Sequence, residues 1–164
     1  MIKETRVIAE CNADTLLINM LLKTDVVHGA NNDQVATIMI KSPANKLAIG
    51  VIDNDKKKPE YFKEFKIQDH KQELHFSIHK HPKRKHYFII IDKAHEDFVL
   101  KSANEANLTQ EKYAKFFNMN YIKSISKNIY VSKNVEYKNF LNAIIQKNPP
   151  PIKELRQFIT ELLS

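Results

Sequence analysis

The apolar run Leu47–Ile52, which ends directly at Asp53, constrains the fold more than any other feature of the sequence. A strand that is apolar at nearly every position is buried on both faces, as in a parallel sheet covered by helices. Two shorter strand-like runs, Arg6–Glu10 and Val26–Gly29, are each followed by apolar residues at helical spacing. Strands that alternate with helices predict an α/β fold with a mainly parallel sheet.

The strand patterns are confined to the first part of the chain. We expect residues 1–100 to form a Rossmann-like core, in which a mainly parallel sheet of about four strands is flanked by helices. Within this core, Glu73–His79 and Tyr87–Ile91 have strand patterns, and the basic stretch Lys56–Lys71 is expected to be irregular.

Residues 101–164 are expected to form a helical extension that packs on the core. Helical patterns cover Phe98–Asn104, Gln110–Asn118, Glu136–Lys147 and Ile152–Leu163. Between them, Ile129–Val131 is expected to be a short strand or an extended link. The last helix has an amphipathic stripe that we expect to pack on the core, with a homodimer or a partner protein as the alternative.

Length and composition exclude several classes of protein. A chain of 164 residues with 43% hydrophobic residues can bury a core of its own and is too apolar to be disordered. The single cysteine, Cys11, excludes an internal disulfide and a cysteine-cluster zinc site, and fits a reducing cytosol. Gly29 and Gly50 are the only glycines, so no glycine-rich nucleotide loop can form. No apolar run approaches the roughly 18 residues of a membrane helix, and Met1–Arg6 is charged, so we expect a cytoplasmic protein without a membrane partner.

The positive charge is concentrated in one segment. The chain has 26 Lys and Arg against 19 Asp and Glu, which gives a net charge of +7. Residues 1–55 hold five basic and seven acidic side chains, whereas residues 56–86 hold ten basic and four acidic ones. A basic surface attracts polyanions such as nucleic acids, although a lysine-rich composition also produces a plain solvated surface.

Four acidic residues closely follow the predicted strands. Glu10 ends the first strand, Asp14 comes soon after it, and Asp53 and Asp55 follow the third strand. Parallel strands end at one edge of the sheet, where α/β proteins bind ligands, so these carboxylates can converge. Clustered carboxylates repel unless a cation neutralises them, and oxygen ligands select Mg²⁺ or Mn²⁺. The alternative is that these acids are turn formers and helix caps, and for Asp14 both roles remain open.

This acidic pattern resembles the Toprim domain shared by primases, type II topoisomerases and the overcoming-lysogenization-defect (OLD) nucleases, and most closely the small OLD-type and stand-alone Toprim proteins. The resemblance covers roughly residues 5–100. Glu10 matches the first acid of the family, Gly29 the small residue after the second strand, and Asp53–Asp55 the paired acids. The acidic helix start His95–Asp97 is also similar to that of the family.

Two departures from the Toprim pattern bear on the site. Cys11 stands where the family usually has glycine, so the turn must either avoid a positive φ or carry strain. The run Lys56–Lys58, directly after the paired acids, is unlike the continuation in topoisomerases.

The resemblance implies a Toprim-like nuclease that hydrolyses phosphodiester bonds in DNA or RNA, of the kind used in prokaryotic defence or nucleic-acid processing. It implies that Glu10, Asp53 and Asp55 hold Mg²⁺ or Mn²⁺ and act in catalysis, with Asp14 as a further metal ligand. Lys56 is expected to join them as a catalytic residue by neutralising charge at the phosphate. The side chains expected to bind nucleic acid are Lys57, Lys58, Lys83, Arg84 and Lys85.

Two other functions remain open at this point. One is a non-catalytic Toprim-like module that binds nucleic acid or a protein partner, with its C-terminal helices as the docking element. The other is a flavodoxin-like domain that handles phosphate and is unrelated to nucleases. Binding of a divalent metal distinguishes an active nuclease from the non-catalytic module.

Several reactive or aromatic side chains are interpreted as structural. Tyr61, Phe62 and Phe65 can stack on bases, but Phe62 and Phe65 lie at helical spacing, and aromatic residues at that spacing more often belong to a core. Cys11 is not expected to be a catalytic thiol, because no partner base is evident.

The histidines are interpreted in the same way. His79 and His81 lack a third zinc ligand at a suitable spacing. These two residues, and likewise His28 and His95, are therefore expected to be structural or surface histidines.

Overall fold

A computed structural model describes residues 7–108 and 111–164 and contains a sheet enclosed by helices. The strands are β1 (Val7–Ala9), β2 (Val27–His28), β3 (Ala48–Asp53), β4 (Lys66–Lys71), β5 (Phe76–Lys80) and β6 (His86–Ile91). The helices are α1 (Asn12–Leu22), α2 (Asn32–Lys41), α3 (His95–Glu105), α4 (Met119–Ser126), α5 (Val135–Lys147) and α6 (Pro150–Leu163). The charged start Met1–Arg6, which includes the first residue of the predicted first strand, and Gln110 of a predicted helix lie outside the described residues.

Among the described residues, six strands form one sheet in the order β2-β1-β3-β6-β5-β4. β1, β2, β3 and β6 run parallel, whereas β5 pairs antiparallel with β6, and the edge strand β4 pairs antiparallel with β5. The predicted α/β class, with a mainly parallel sheet flanked by helices, is confirmed. The predicted number of strands is wrong, because the sheet has six.

Strand β4 lies within the basic stretch that the sequence predicts to be irregular. It is an edge strand, and its pairing with β5 shifts in register between Ile67 and Asp69. Charged residues and bulges are common in edge strands, because they prevent pairing with other chains. The bulge interrupts the simple alternation of side chains that would have identified this strand in the sequence.

Strand β3 is buried along its whole length, as its apolar run predicts. Ile49 and Val51 belong to the larger hydrophobic cluster, together with side chains of α1, α3, α5 and α6. Ala48 and Ile52 belong to the smaller cluster, together with α2 and Tyr61. Helices therefore cover both faces of the parallel sheet.

The helical part differs from its prediction in three places. Glu111–Phe117 forms a 3-10 helix, and a further helix that no pattern indicated, α4, follows Asn118. The Asn118 side chain caps α4 by accepting a hydrogen bond from the backbone N–H of Tyr121. Ile129–Val131, expected as a strand or a link, instead turns into the short 3-10 helix Val131–Lys133.

The last helix, α6, packs against α1 and α3 in the larger hydrophobic cluster. Ile152, Leu155 and Ile159 of α6 are buried in the same cluster as Leu17 of α1 and Phe98 of α3. The amphipathic stripe of α6 thus contributes to the common core. Within the described ranges, no helix has both the length and the apolar character needed to cross a membrane.

Candidate functional site

A cleft of about 460 Å³ lies at the carboxyl edge of the parallel strands. It is lined by residues that follow β1, β2 and β3, by the first turn of α3 and by the end of α4. Ligands of open α/β sheets bind at this edge, because the loops after the strands surround a crevice there.

Glu10 and Asp53 line this cleft from the ends of the neighbouring strands β1 and β3. Their exposed fractions are only 4% and 5%. The Lys56 ammonium lies 2.7 Å from Glu10 Oε1 and 4.0 Å from Asp53 Oδ2. Strand pairing therefore brings two of the predicted acids together, and the Lys56 ammonium supplies a positive charge beside them.

Glu10 and Asp53 each keep one buried oxygen, Oε2 and Oδ1 respectively, that has no hydrogen-bond partner. Burial, together with the charges of Asp14 and Glu10, raises the pKa of Asp53 to about 9. The Lys56 ammonium opposes this rise in pKa without cancelling it. Asp53 therefore holds a proton at neutral pH until another cation approaches.

A chain of hydrogen bonds runs behind the cleft from Cys11 to Tyr137. The Cys11 thiol donates to Asp14 Oδ2 at 3.1 Å, and Asp14 Oδ1 lies 2.8 Å from His95 Nδ1. On the other side of the imidazole ring, Nε2 lies 2.5 Å from the Tyr137 hydroxyl. Because an ionised carboxylate only accepts hydrogen bonds, His95 donates to Asp14 through Nδ1, and its Nε2 contacts the Tyr137 hydroxyl. Both oxygens of Asp14 are thus held in place.

Asp14 stays ionised although its exposed fraction is only 1%. Burial by itself raises the pKa of Asp14, but the hydrogen bond and charge of His95 outweigh burial and hold that pKa below its usual range. Burial raises the pKa of the Cys11 thiol, as does the neighbouring Asp14, and burial likewise raises the pKa of Tyr137. The thiol and the phenol therefore keep their protons, and the thiol donates its proton to the hydrogen bond with Asp14.

Cys11 occupies the turn between β1 and α1, where the Toprim pattern has glycine. Its φ of −112° is extended, so the turn avoids the left-handed region. The sulfur accepts a hydrogen bond from the backbone N–H of Asp14 at 3.3 Å and thereby caps α1. Cys11 is thus a helix cap and a donor to Asp14.

The first turn of α3 brings one more acid to the cleft. Glu96 is 5% exposed, and its Oε1 accepts a hydrogen bond from the Ser126 hydroxyl at 2.5 Å. This contact joins the start of α3 to the end of α4. Residues beyond 100 therefore form part of the wall of the cleft.

Asp55 is separated from the buried acids by a turn. Strand β3 ends at Asp53, and the backbone N–H groups of Asn54 and Asp55 both bond to the carbonyl of Lys93. The turn ends the extended alternation that would place Asp53 and Asp55 on one side of the chain. Asp55 lies exposed on the lining of the cleft, and its role as a metal ligand stays a prediction.

Lys57 and Lys58 follow the same turn but differ in their contacts. The Lys58 ammonium donates to the backbone and side-chain oxygens of Asn54 at 2.7 and 2.6 Å, so this side chain folds back on the turn. The Lys57 side chain is exposed. Of these two predicted nucleic-acid contacts, Lys57 is the more accessible.

Lys83, Arg84 and Lys85 lie at the opposite edge of the sheet. They form the turn before β6, and because β6 is parallel to β3, this turn lies beside the start of β3. The Lys85 N–H bonds to the carbonyl of Ala44 there. The six residues of β6 place the turn roughly 20 Å from the cleft, at about 3.3 Å per residue. These side chains therefore lie away from the acids of the cleft, and their role in binding nucleic acid stays a prediction.

The aromatic side chains that follow β3 belong to the core. Tyr61 and Phe65 are 8% and 9% exposed, and Phe62 packs against the same cluster. His81 is buried beside them, with its Nε2 2.8 Å from the Glu64 carboxylate. The structural interpretation of these residues is confirmed.

The sequence gives little sign that His95 and Tyr137 support the site. His95 is 81 residues from Asp14 in the chain, and Tyr137 is a further 42 residues away. Tyr137 lies on the buried face of α5 and resembles an ordinary core residue in the sequence. The available signals are that His95 and Glu96 open a helix soon after a buried parallel strand, which is where ligand-binding side chains gather, and that His95–Asp97 resembles an acidic helix start of the Toprim family.

The donor set of the cleft fits a divalent cation. One ligand atom from each of Glu10, Cys11 and Asp14 lies within 4.8 Å of the other two. Asp53 adds a buried oxygen without a partner. Carboxylate oxygens suit Mg²⁺ and Mn²⁺, whereas a protonated thiol such as that of Cys11 is a poor ligand for these hard ions. The acids therefore fit the ions expected from the sequence.

Comparisons with protein-family models, curated proteins and solved structures gave no match to this chain. The fold and the chemistry of the cleft are therefore the basis on which its function is argued.

Proposed function

We propose that this protein is a Toprim-like nuclease that uses Mg²⁺ or Mn²⁺ to hydrolyse phosphodiester bonds in DNA or RNA. The observation that carries the proposal is the pair of buried acids, Glu10 and Asp53, each with an oxygen that has no hydrogen-bond partner among the described residues. Unsatisfied buried carboxylates lower stability, so their presence at a ligand-binding edge favours a role in cation binding.

Each charged residue of the cleft has a task in this proposal. Glu10 and Asp53 hold the ion, and Asp14, fixed by His95, adds negative charge behind it. When bound, Mg²⁺ or Mn²⁺ polarises the scissile phosphate and lowers the pKa of the attacking water. Lys56, whose side chain is 47% exposed, releases Glu10 and turns its ammonium toward the phosphate.

Cleavage assays test the proposal with plasmid DNA, single-stranded DNA and structured RNA, each in Mg²⁺, Mn²⁺ or EDTA. We expect Asp53→Asn and Glu10→Gln to lower the cleavage rate by about a hundredfold or more, because each removes a charge from the ion site. Glu161→Gln, a change in an exposed acid of α6, is the matched control. The nuclease proposal fails if the parent protein cuts none of these substrates, or if Asp53→Asn cuts as fast as the parent.

The ion pair of Lys56 and Glu10 favours a second candidate function, a non-catalytic module that binds nucleic acid or a protein. In such a module the ammonium supplies the positive charge that the acids need, and no divalent ion is required.

Calorimetry with Mn²⁺ distinguishes the two functions. A nuclease takes up Mn²⁺ and loses this uptake in Asp53→Asn. It binds Mn²⁺ more tightly in Lys56→Met, because the ammonium no longer competes for Glu10. The control is Lys58→Met, since the Lys58 ammonium bonds to Asn54. The non-catalytic module is supported if Mn²⁺ uptake does not depend on the carboxylates while the protein still binds nucleic acid in a salt-sensitive manner.

A further inference from the structure

Residues 121–135, named here the lysine ridge, carry positive charge and no acidic residue. Lys123, Lys127 and Lys133 are exposed on it. Within the described part of the chain, these three ammonium groups have no carboxylate partner. Their charge is therefore available to a ligand.

Large hydrophobic side chains are exposed on the same ridge. Of the six that are exposed among the described residues, four lie within the lysine ridge. Ile129, Tyr130 and Val135 have exposed fractions of 67%, 61% and 68%. Single exposed hydrophobic residues are ordinary, but a group of them indicates a surface that contacts another molecule.

Tyr130 is held on a fixed backbone. The next residue, Val131, is 1% exposed and anchors the ridge in the core, and the Tyr130 N–H donates to Asn128 Oδ1 at 2.8 Å. The Lys133 ammonium lies 5.4 Å from the centroid of the Tyr130 ring. An accessible aromatic ring and a positive charge are thus next to each other.

The lysine ridge separates the acidic cleft from a neighbouring depression of about 420 Å³. Lys127 and Ile129 line the acidic cleft, whereas Tyr130 and Lys133 line the depression. The consecutive residues Ile129 and Tyr130 therefore face the two sides of the ridge, and a chain-like ligand that crosses it contacts both.

We propose that the lysine ridge binds single-stranded nucleic acid, with a base stacked on Tyr130 and phosphates at Lys127 and Lys133. This inference rests on the proposed nuclease function, because it names the substrate class of the same cleft. The lysines complement the phosphates, and an aromatic ring stacks on any base. Because paired bases in a duplex are already stacked on their neighbours, Tyr130 selects a single strand.

Fluorescence anisotropy in EDTA tests the ridge without cleavage, using labelled oligo(dT), labelled oligo(U) and a duplex of equal length. We expect the parent to bind at least one single strand about tenfold more tightly than the duplex. Tyr130→Ala weakens that binding about tenfold, whereas Tyr130→Phe retains it. Lys133→Ala makes the fall of log affinity with log salt concentration less steep, by the amount expected for about one phosphate contact. The controls are Ile40→Ala and Lys41→Ala, exposed side chains at the end of α2.

Equal binding by Tyr130→Ala and the parent overturns the proposal, as does equal affinity for the duplex. Displacement of the oligonucleotide by polyglutamate at matched charge concentration also overturns it, because an acidic protein partner then fits the surface as well. The nuclease proposal fails separately. If the parent binds single strands in EDTA but cuts nothing in Mn²⁺, the proposal for the lysine ridge holds and the nuclease proposal is refuted.

Discussion

Tyr137 joins the C-terminal helices to the acids of the cleft. Its hydroxyl reaches His95 Nε2, and His95 in turn holds Asp14. All three side chains are at most 2% exposed, so water does not replace a lost contact. A single hydroxyl in α5 therefore supports the orientation of a carboxylate in α1.

We expect Tyr137→Phe to lower the free energy of unfolding by about 1–3 kcal/mol. Phenylalanine fills the same space but leaves the buried His95 Nε2 without a partner. Urea denaturation measures the change. The matched control is Tyr121→Phe, which removes a hydroxyl from an exposed ring and is expected to change stability by less than about 0.5 kcal/mol. A variant as stable as the parent would mean that the hydrogen bond contributes nothing.

Local sequence patterns predict the acids of the site but not the side chains that hold them. Glu10 and Asp53 lie at the ends of parallel strands that are neighbours in the sheet. Ligands of α/β sheets bind at this carboxyl edge, so the sequence alone predicts where these acids meet. His95 and Tyr137 are distant from Asp14 in sequence, and their contacts depend on how α3 and α5 pack. No local pattern encodes that packing.

At the scale of elements, β3 and α2 approach each other closely at Gly50. A Cβ atom there would lie 2.6 Å from Met39 Sδ and 2.9 Å from both Phe88 Cε1 and Val35 Cγ1. These neighbours are completely buried, so they have little room to move. Glycine is required at this position for close packing of the helix on the strand.

Gly50→Ala is expected to lower the free energy of unfolding by about 1–3 kcal/mol, because the added methyl group overpacks the contact. Combining it with Met39→Ala, which creates space, tests this cause by denaturation of both single variants and the double variant. We expect the double variant to be less destabilised than the sum of the two single changes. Strictly additive losses would contradict the proposed clash.

Buried elements are easier to predict from the sequence than exposed ones. β3 is apolar on both faces and is evident in the sequence, whereas the charged, bulged edge strand β4 shows no clean alternation. Helix α4 has only eight residues and follows a 3-10 helix, so its helical pattern spans little more than two turns. Its start is marked by the Asn118 cap, a signal that the sequence does contain.

At the scale of the whole molecule, stability depends on a neutral His86. Burial, with the nearby charges of Arg84 and His81, lowers the pKa of His86 to about 4. Unfolded histidine has a pKa of about 6.5, so between these values the unfolded chain binds a proton that the folded chain does not. The stability that the neutral His86 contributes to the folded state is therefore present above about pH 6.5 and is lost as the pH falls toward 4.

We expect the free energy of unfolding to fall between pH 7 and pH 4 by roughly 3 kcal/mol on account of His86. Denaturation curves across this range for the parent and His86→Gln measure the difference, because glutamine does not titrate. The exposed His28 offers the matched control, His28→Gln, which should follow the parent. If the parent and His86→Gln lose stability in parallel, His86 is not the cause.

The contact between Tyr137 and His95 also bears on the newly made chain. During translation Glu10, Asp14 and Asp53 emerge first, because all three precede His95 and Tyr137 in the chain. Until α5 has been synthesised, His95 lacks its tyrosine partner and Asp14 is held less firmly. If this chain is the nuclease proposed above, its cleft is complete only after the codons for α5 have been read.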